Sequence, residues 1–288
     1  MAEVIKGSEV AAHLKNRLKK IVDDECLTPR LGIVRVGHND SDLAYERGIV
    51  KTCADTGIEV NIFEIPENIS RMDFNDRLRD INNDDSLNGI LLFRPLPDGL
   101  DADEAAEIIS ADKDMDCMCS ENWAKLVMGR KDGYYPCTAE SVIKICDFAN
   151  VKYDGAKAVV IGRSQVIGKP VALMLLSKNA TVTWCHSHTK DLADELKGAN
   201  IIVSACGVAE LIGSEMVSGI SNDCIAIDVG INFKGNKMCG DFNFEQVSNH
   251  ASKITPVPGG VGAVTNTVLA SHVVRAAYKL KKGTDIII

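Results

Sequence analysis

Apolar residues along this chain switch repeatedly between a helical period and short β-rich runs. Val10, Leu14, Leu18 and Val22 recur at helical spacing behind Ser8, which is suited to capping that helix. A strand is predicted over 31–36, closed by Gly37, then a helix over 42–56 stopped by Gly57. A strand over 60–65, a polar helix over 71–82 and a strand over 89–93 follow, the last ended by Pro95-Leu96-Pro97. A short helix is expected over 103–109. Residues 110–137 break the pattern: they are polar, predicted irregular, and rich in Asp, Cys, Met and Gly. Long irregular segments inside compact proteins are commonly functional.

Thr138 caps a predicted helix to about residue 148. A second series then reads strand 157–161, helix 168–176, strand 181–184, helix 191–197, strands 201–205 and 224–229, and a last helix over 264–280 carrying Val268, Leu269, Val273 and Ala276. Strands separated by helices imply an α/β fold with parallel sheets covered on both faces. The weakest join, 150–155, suggests a domain boundary, and 288 residues suit one large or two medium domains.

Composition narrows the function classes. Hydrophobic residues at 45% allow a sizeable core, and aromatic residues at only 5% make it mostly aliphatic. A net charge of −8 argues against a nucleic-acid binder. The N-terminus has no apolar signal segment, and no apolar run is long enough for a membrane span. The ten cysteines lie scattered in apolar segments, as reduced thiols in the cytoplasm would. Cys185, His186 and His188 fit no common zinc spacing, and no metal is expected.

The chemistry concentrates at a glycine-bearing turn, Val159-Val160-Ile161-Gly162-Arg163-Ser164-Gln165-Val166-Ile167-Gly168-Lys169-Pro170, between a buried strand and a helix. Gly162 permits the tight turn, and Gly168 opens a helix whose free N–H groups suit a phosphate. The run departs from GxGxxG, with Ser164 at the middle position and the last glycine one residue late. An NAD site usually carries an acidic residue after the next strand. Here that strand is followed by Cys185-His186-Ser187-His188-Thr189, without a carboxylate. Arg163, Ser187 and His186 instead suit a 2′-phosphate, which points to NADP.

At these residues the chain resembles the methylenetetrahydrofolate dehydrogenase/cyclohydrolase family. The resemblance runs through Gly162-Arg163-Ser164, Gly168-Lys169-Pro170, Cys185-His186-Ser187, Asp228-Val229-Gly230-Ile231-Asn232, Gly240-Asp241 and, most specifically, Thr255-Pro256-Val257-Pro258-Gly259-Gly260-Val261-Gly262. Lys113-Asp114-Met115-Asp116 and Pro136-Cys137-Thr138 fit upstream, so it covers essentially the whole chain. It implies two α/β domains with a folate cleft between them: a folate-binding catalytic domain over 1–145, with residues 268–288 packing back, and a Rossmann-like NADP-binding domain over 146–267. It also implies a homodimer, oxidation of 5,10-methylenetetrahydrofolate with NADP, and hydrolysis of the methenyl product to 10-formyltetrahydrofolate.

Residue by residue, Tyr45 resembles the tyrosine that lies along the folate, and Asp116 the carboxylate that anchors the pterin. A carboxylate can accept two parallel N–H bonds from such an amidine-like edge. Pro258, Gly259 and Gly260 let backbone approach the folate. Gly162, Arg163, Ser164, Gly168, His186, Ser187 and Ile231 fall at cofactor-binding positions. Hydride transfer needs mainly positioning, whereas hydrolysis needs a placed acid/base group. The family puts a lysine four residues after the tyrosine and a glutamine at the end of the third strand. This chain has Ile49 and Phe93 there, with Arg47 and Lys51 pointing elsewhere around the helix. The expectation is a dehydrogenase with weak or absent cyclohydrolase activity. The alternatives are the full bifunctional enzyme, a binding protein without turnover, and a dehydrogenase of another metabolite. Arg94, Cys117 and Ala263-Val264 also depart from the family pattern, and Arg94 has no assigned role.

Overall fold

A computed structural model describes residues 1–288. The chain forms two compact units, one of residues 13–137 with 266–288, the other of residues 1–12 with 138–265. Both are α/β, as the alternation predicts, and no helix is long and apolar enough to cross a membrane.

The first unit is built on a three-stranded parallel sheet in the order Glu59–Ile65, Arg30–Val36, Gly89–Leu92. The central strand is buried almost throughout, because helices must cover both faces of such a sheet. Val34, Phe74, Leu78, Ile90, Leu92 and Ile109 make one core cluster. Helix Asp40–Thr56 starts where the Asn39 side chain accepts the Ser41 N–H, and stops at Gly57, whose φ of 77° suits glycine. Helix Arg71–Asn82 is capped in the same way by Ser70. Residues 110–137 are not irregular throughout, since Ser120–Val127 is a helix. It has only two turns, and its N-cap, Cys119, makes no side-chain cap bond, so the sequence carried no start signal.

The second unit carries a six-stranded, all-parallel sheet in the order Glu3–Val4, Lys253–Ile254, Ile225–Asp228, Ile201–Ser204, Lys157–Ile161, Thr181–Cys185. Successive strands step one way from Lys157–Ile161 to Thr181–Cys185, then resume on its other side with Ile201–Ser204. That reversal is a topological switch point, where α/β sheets open a crevice at the carboxyl ends of their strands. Val159, Ile161, Ile202, Ala226 and Ile254 pack the core beside it. The pattern did not show the two-residue strands Glu3–Val4 and Lys253–Ile254, the hairpin Asn232–Lys234 with Lys237–Cys239, or the short helices Ser214–Val217 and Phe244–Ser248. Elements this short fall below the windows over which a hydrophobic period can be read. The strand Glu3–Val4 draws the first twelve residues into this unit. The division between the units falls after Cys137, the first residue of helix Cys137–Phe148, and ahead of the 150–155 join.

Candidate functional site

In the first unit, the Lys113–Asp116 motif runs beside strand Gly89–Leu92 and is pinned residue by residue. Ile90 N–H donates to the Lys113 carbonyl at 2.7 Å. Lys113 Nζ donates to the Asn82 and Asp84 carbonyls, a cation on the carbonyl end of helix Arg71–Asn82. Buried Asp114 accepts the Cys119 N–H and the Asn122 amide. Met115 packs on Gly89, where a Cβ would meet its side chain at 2.4 Å. Asp116 remains half-buried. Its Oδ1 accepts the Cys137 N–H at 2.8 Å, which leaves carboxylate lone pairs for a ligand. Burial holds this carboxyl above the usual range, while the Cys137 contact and the Arg94 charge act in the opposite sense.

Tyr45 lies in the same neighbourhood. Burial pushes its phenol well above its ordinary value, and the nearby Cys137 and Asp116 add to this. The group is therefore a hydrogen-bond donor rather than a base. Its ring sits 5.4 Å from that of Phe93, tilted 38°. Ile49, one helical turn on, is fully buried, whereas Arg47 and Lys51 are exposed. Neither cation of this helix thus replaces a lysine at position 49.

Two supports for this region had no sequence signal, because each is a long-range pairing of ordinary residues. Buried Arg35 donates to Glu46 at 3.0 Å and to Glu64 at 3.1 Å, and also to the Gly37 carbonyl, tying Tyr45's neighbour to the central strand. His272, fully buried on the last helix, bonds the Met115 carbonyl at 2.8 Å. A carbonyl only accepts, so His272 Nδ1 carries the proton.

In the second unit, Gly162 sits at the switch point with a φ of 123°, and a Cβ there would lie 2.3 Å from the Ala205 carbonyl oxygen. Gly168 is equally constrained, with a Cβ position 2.2 Å from the Gly162 oxygen. Ser164 Oγ accepts the Ile167 and Gly168 N–H groups at 3.1 and 3.4 Å, so its own proton is free to point outward. Arg163 is exposed. His186 and Ser187 lie in the turn after Thr181–Cys185. There the His188 N–H donates to His186 Nδ1 at 3.1 Å, so the neutral ring presents an Nε2–H donor. Cys185 is buried in the core instead of facing these histidines. Ile231 is 62% exposed beside buried Gly230.

The Asp228–Asn232 and Gly240-Asp241 motifs have a structural explanation. Asp241 accepts Ser204 Oγ, the Cys206, Gly207 and Val208 N–H groups, and the Asn232 amide, joining the loop after Ile201–Ser204 to the hairpin. Asp228 accepts the Gly230, Asp241 and Phe242 N–H groups. Each carboxylate presses on the other's glycine: a Cβ at Gly230 would lie 2.1 Å from Asp241, and one at Gly240 2.0 Å from Asp228. Burial, with the Asp241 charge, pushes the Asp228 carboxyl up to about 7.

A raised carboxyl stabilises the fold below its unfolded value near 4 and loses that contribution as pH rises through about 7. Asparagine cannot ionise, so Asp228→Asn should gain stability relative to the parent protein as pH rises from 5 to 8. Urea unfolding at both pH values should show a change of roughly 2–4 kcal/mol in that difference. A pH-independent difference would refute the ionisation.

The Pro258–Gly260 run also lies in the second unit. Gly259 has a φ of 99°, and Gly260 backs onto the Pro256 carbonyl, where a Cβ would lie at 2.5 Å. The Gly7 N–H donates to the Gly259 carbonyl at 2.8 Å. Gly262 has open space where its Cβ would be. Two of the three glycines therefore have backbone reasons, and Pro258 and Gly259 remain exposed.

Comparisons with known proteins agree in both units. Residues 5–116 match the tetrahydrofolate dehydrogenase/cyclohydrolase catalytic domain, and residues 136–281 the NAD(P)-binding domain of the same description. A relative from Alkaliphilus metalliredigens, named bifunctional protein FolD, is 43% identical over 280 residues, covering 96% of this chain and 98% of that protein. One of the same name from Clostridioides difficile is 43% identical over 279 residues, covering 95% and 96%. The crystal structure of the bifunctional FolD enzyme from Campylobacter jejuni superposes with a TM-score of 0.91 at 34% identity, covering 97% of this chain and all of that one. The Trypanosoma brucei dehydrogenase-cyclohydrolase, solved with NADP cofactor and inhibitor, gives 0.88 at 30% identity, covering 98% and 99%.

Proposed function

Because the chain belongs to the tetrahydrofolate dehydrogenase/cyclohydrolase family, we propose that it oxidises 5,10-methylenetetrahydrofolate to 5,10-methenyltetrahydrofolate with NADP, and that it hydrolyses the methenyl product weakly or not at all. Asp116 anchors the pterin through its uncommitted lone pairs, and Tyr45 lies along the folate as a donor. Pro258 and Gly259 offer exposed backbone to the folate, and buried Gly260 shapes the turn that presents them. Arg163, Ser164, His186 and Ser187 supply the cation and N–H or O–H donors that a 2′-phosphate requires, Gly162 and Gly168 shape their loop, and Ile231 offers an apolar contact. When bound, NADP takes the hydride. The oxidation leaves a delocalised cation and removes no substrate proton, so the protein's work is orientation. We assign folate binding to residues 1–145 with 268–288, cofactor binding to 146–267, and a homodimer as the working form.

The observation that carries the second half of the proposal is the apolar pair at positions 49 and 93. Ile49 is fully buried and Phe93 packs on Tyr45, so neither can move a proton to or from an attacking water. Replacing two polar partners together also leaves neither one buried and unsatisfied. The relatives named bifunctional favour the other reading, in which a different group performs hydrolysis. A product-resolved assay with methylenetetrahydrofolate separates the two. Methenyl product that decays no faster than without enzyme is expected. Rapid enzyme-dependent formation of 10-formyltetrahydrofolate would end the proposal. Installing Ile49→Lys together with Phe93→Gln is expected to accelerate that decay, with the oxidation rate reported in the same assay.

A further inference from the structure

Trp184 occupies the penultimate position of strand Thr181–Cys185, opposite Val160, and is 40% exposed. Its indole Nε1–H donates to the Gly162 carbonyl at 2.6 Å. The preceding backbone bond, Gly162 N–H to the Cys185 carbonyl at 3.0 Å, closes the sheet at the same point. Gly162 is the residue of this loop with the widest backbone freedom, at a φ of 123°. Nothing on its own α-carbon restrains the peptide unit that follows. A peptide is planar, so holding the Gly162 oxygen also fixes the direction of the Arg163 N–H and the plane from which the Arg163 side chain departs.

We propose that Trp184 is a positioning residue for the dinucleotide, its indole N–H holding the Gly162–Arg163 peptide so that Arg163 is presented to the 2′-phosphate. This rests on the NADP reading above. The bond is made within the protein before the ligand arrives, so it lowers the ordering cost of binding and adds no contact of its own. Its effect belongs in cofactor KM, and in the discrimination of NADP from NAD, rather than in turnover at saturation.

The test is a cycle of W184F, R163A and the double variant, with kcat and KM measured for NADP and NAD. W184F should raise KM for NADP about fivefold, the size of one hydrogen bond. It should leave kcat and the KM for NAD within about twofold. In the R163A background the same change should shift KM for NADP by less than about twofold, because the group it positions is gone. An unchanged KM for NADP in W184F, or an undiminished rise without Arg163, overturns the proposal. If W184F fails to fold, the W123F variant leaves Trp184 as the sole indole of the chain's two. Its emission should change saturably with 2′,5′-ADP, and no change would also overturn the proposal. A parent protein that prefers NAD sinks the NADP reading whatever W184F does. A parent that prefers NADP, with W184F silent, sinks this inference alone.

Discussion

Asp116→Ala should lower kcat/KM for methylenetetrahydrofolate on the order of a hundredfold to ten-thousandfold. A charge-assisted hydrogen bond contributes about 1.5–3 kcal/mol, and a pterin edge offers two to one carboxylate. About 1.4 kcal/mol corresponds to each tenfold. Alanine also strands the Cys137 N–H that Asp116 Oδ1 accepts. The motif around it is held by Lys113, Asp114 and Met115, so the backbone should stay in place. Asp116→Asn, which keeps one oxygen acceptor, should fall between parent and alanine. Cofactor affinity, measured by calorimetry with NADP, should not follow, because the residue belongs to the other unit. Oxidation rates within threefold of the parent would remove Asp116 from the anchoring role.

Gly168→Ala is expected to be comparably damaging by a different route. Its Cβ would lie 2.2 Å from the Gly162 oxygen, 2.5 Å from the Gly162 carbonyl carbon and 2.9 Å from the Arg163 nitrogen. All three are backbone atoms, so no side chain can yield. The loop must move off the helix start, and with it the Ser164 hydroxyl, which bonds the Ile167 and Gly168 N–H groups. KM for NADP should rise about a hundredfold, and unfolding free energy should drop by about 1–3 kcal/mol, the usual cost of overpacking. A preserved KM would show that phosphate recognition does not depend on this closure.

Much of this was legible in the sequence, and the exceptions share a cause. The helix Arg71–Asn82 and the strand Lys157–Ile161 carry a full period between clear stops, and their predicted bounds agree with the structure. The helix Ser120–Val127 was hidden inside a polar segment because its cap makes no side-chain bond. Within the candidate sites, Gly162 and Arg163 stood out from the pattern of the glycine-bearing turn, whereas Asp116 was found through the family resemblance of its motif. Arg35, Glu46, His272 and Trp184 carried neither signal. Each acts on a residue well separated in sequence, and neither propensity nor spacing records such a pairing. The glycines of the Asp228–Asp241 region could be seen, yet their reason could not, since it lies in carboxylates ten or more residues away.

That last arrangement bears on how the chain can change through descent. Gly230 faces Asp241, and Gly240 faces Asp228, each at a separation no side chain can share. A new side chain at either glycine requires the opposite carboxylate to be withdrawn first, and withdrawing it strips several loop N–H groups of their acceptor. A side chain gained at either glycine cannot pass through a well-folded intermediate while the opposite carboxylate is in place. The four should therefore be inherited together or lost together, and lineages that drift freely in the hairpin between them should keep this quartet as a unit.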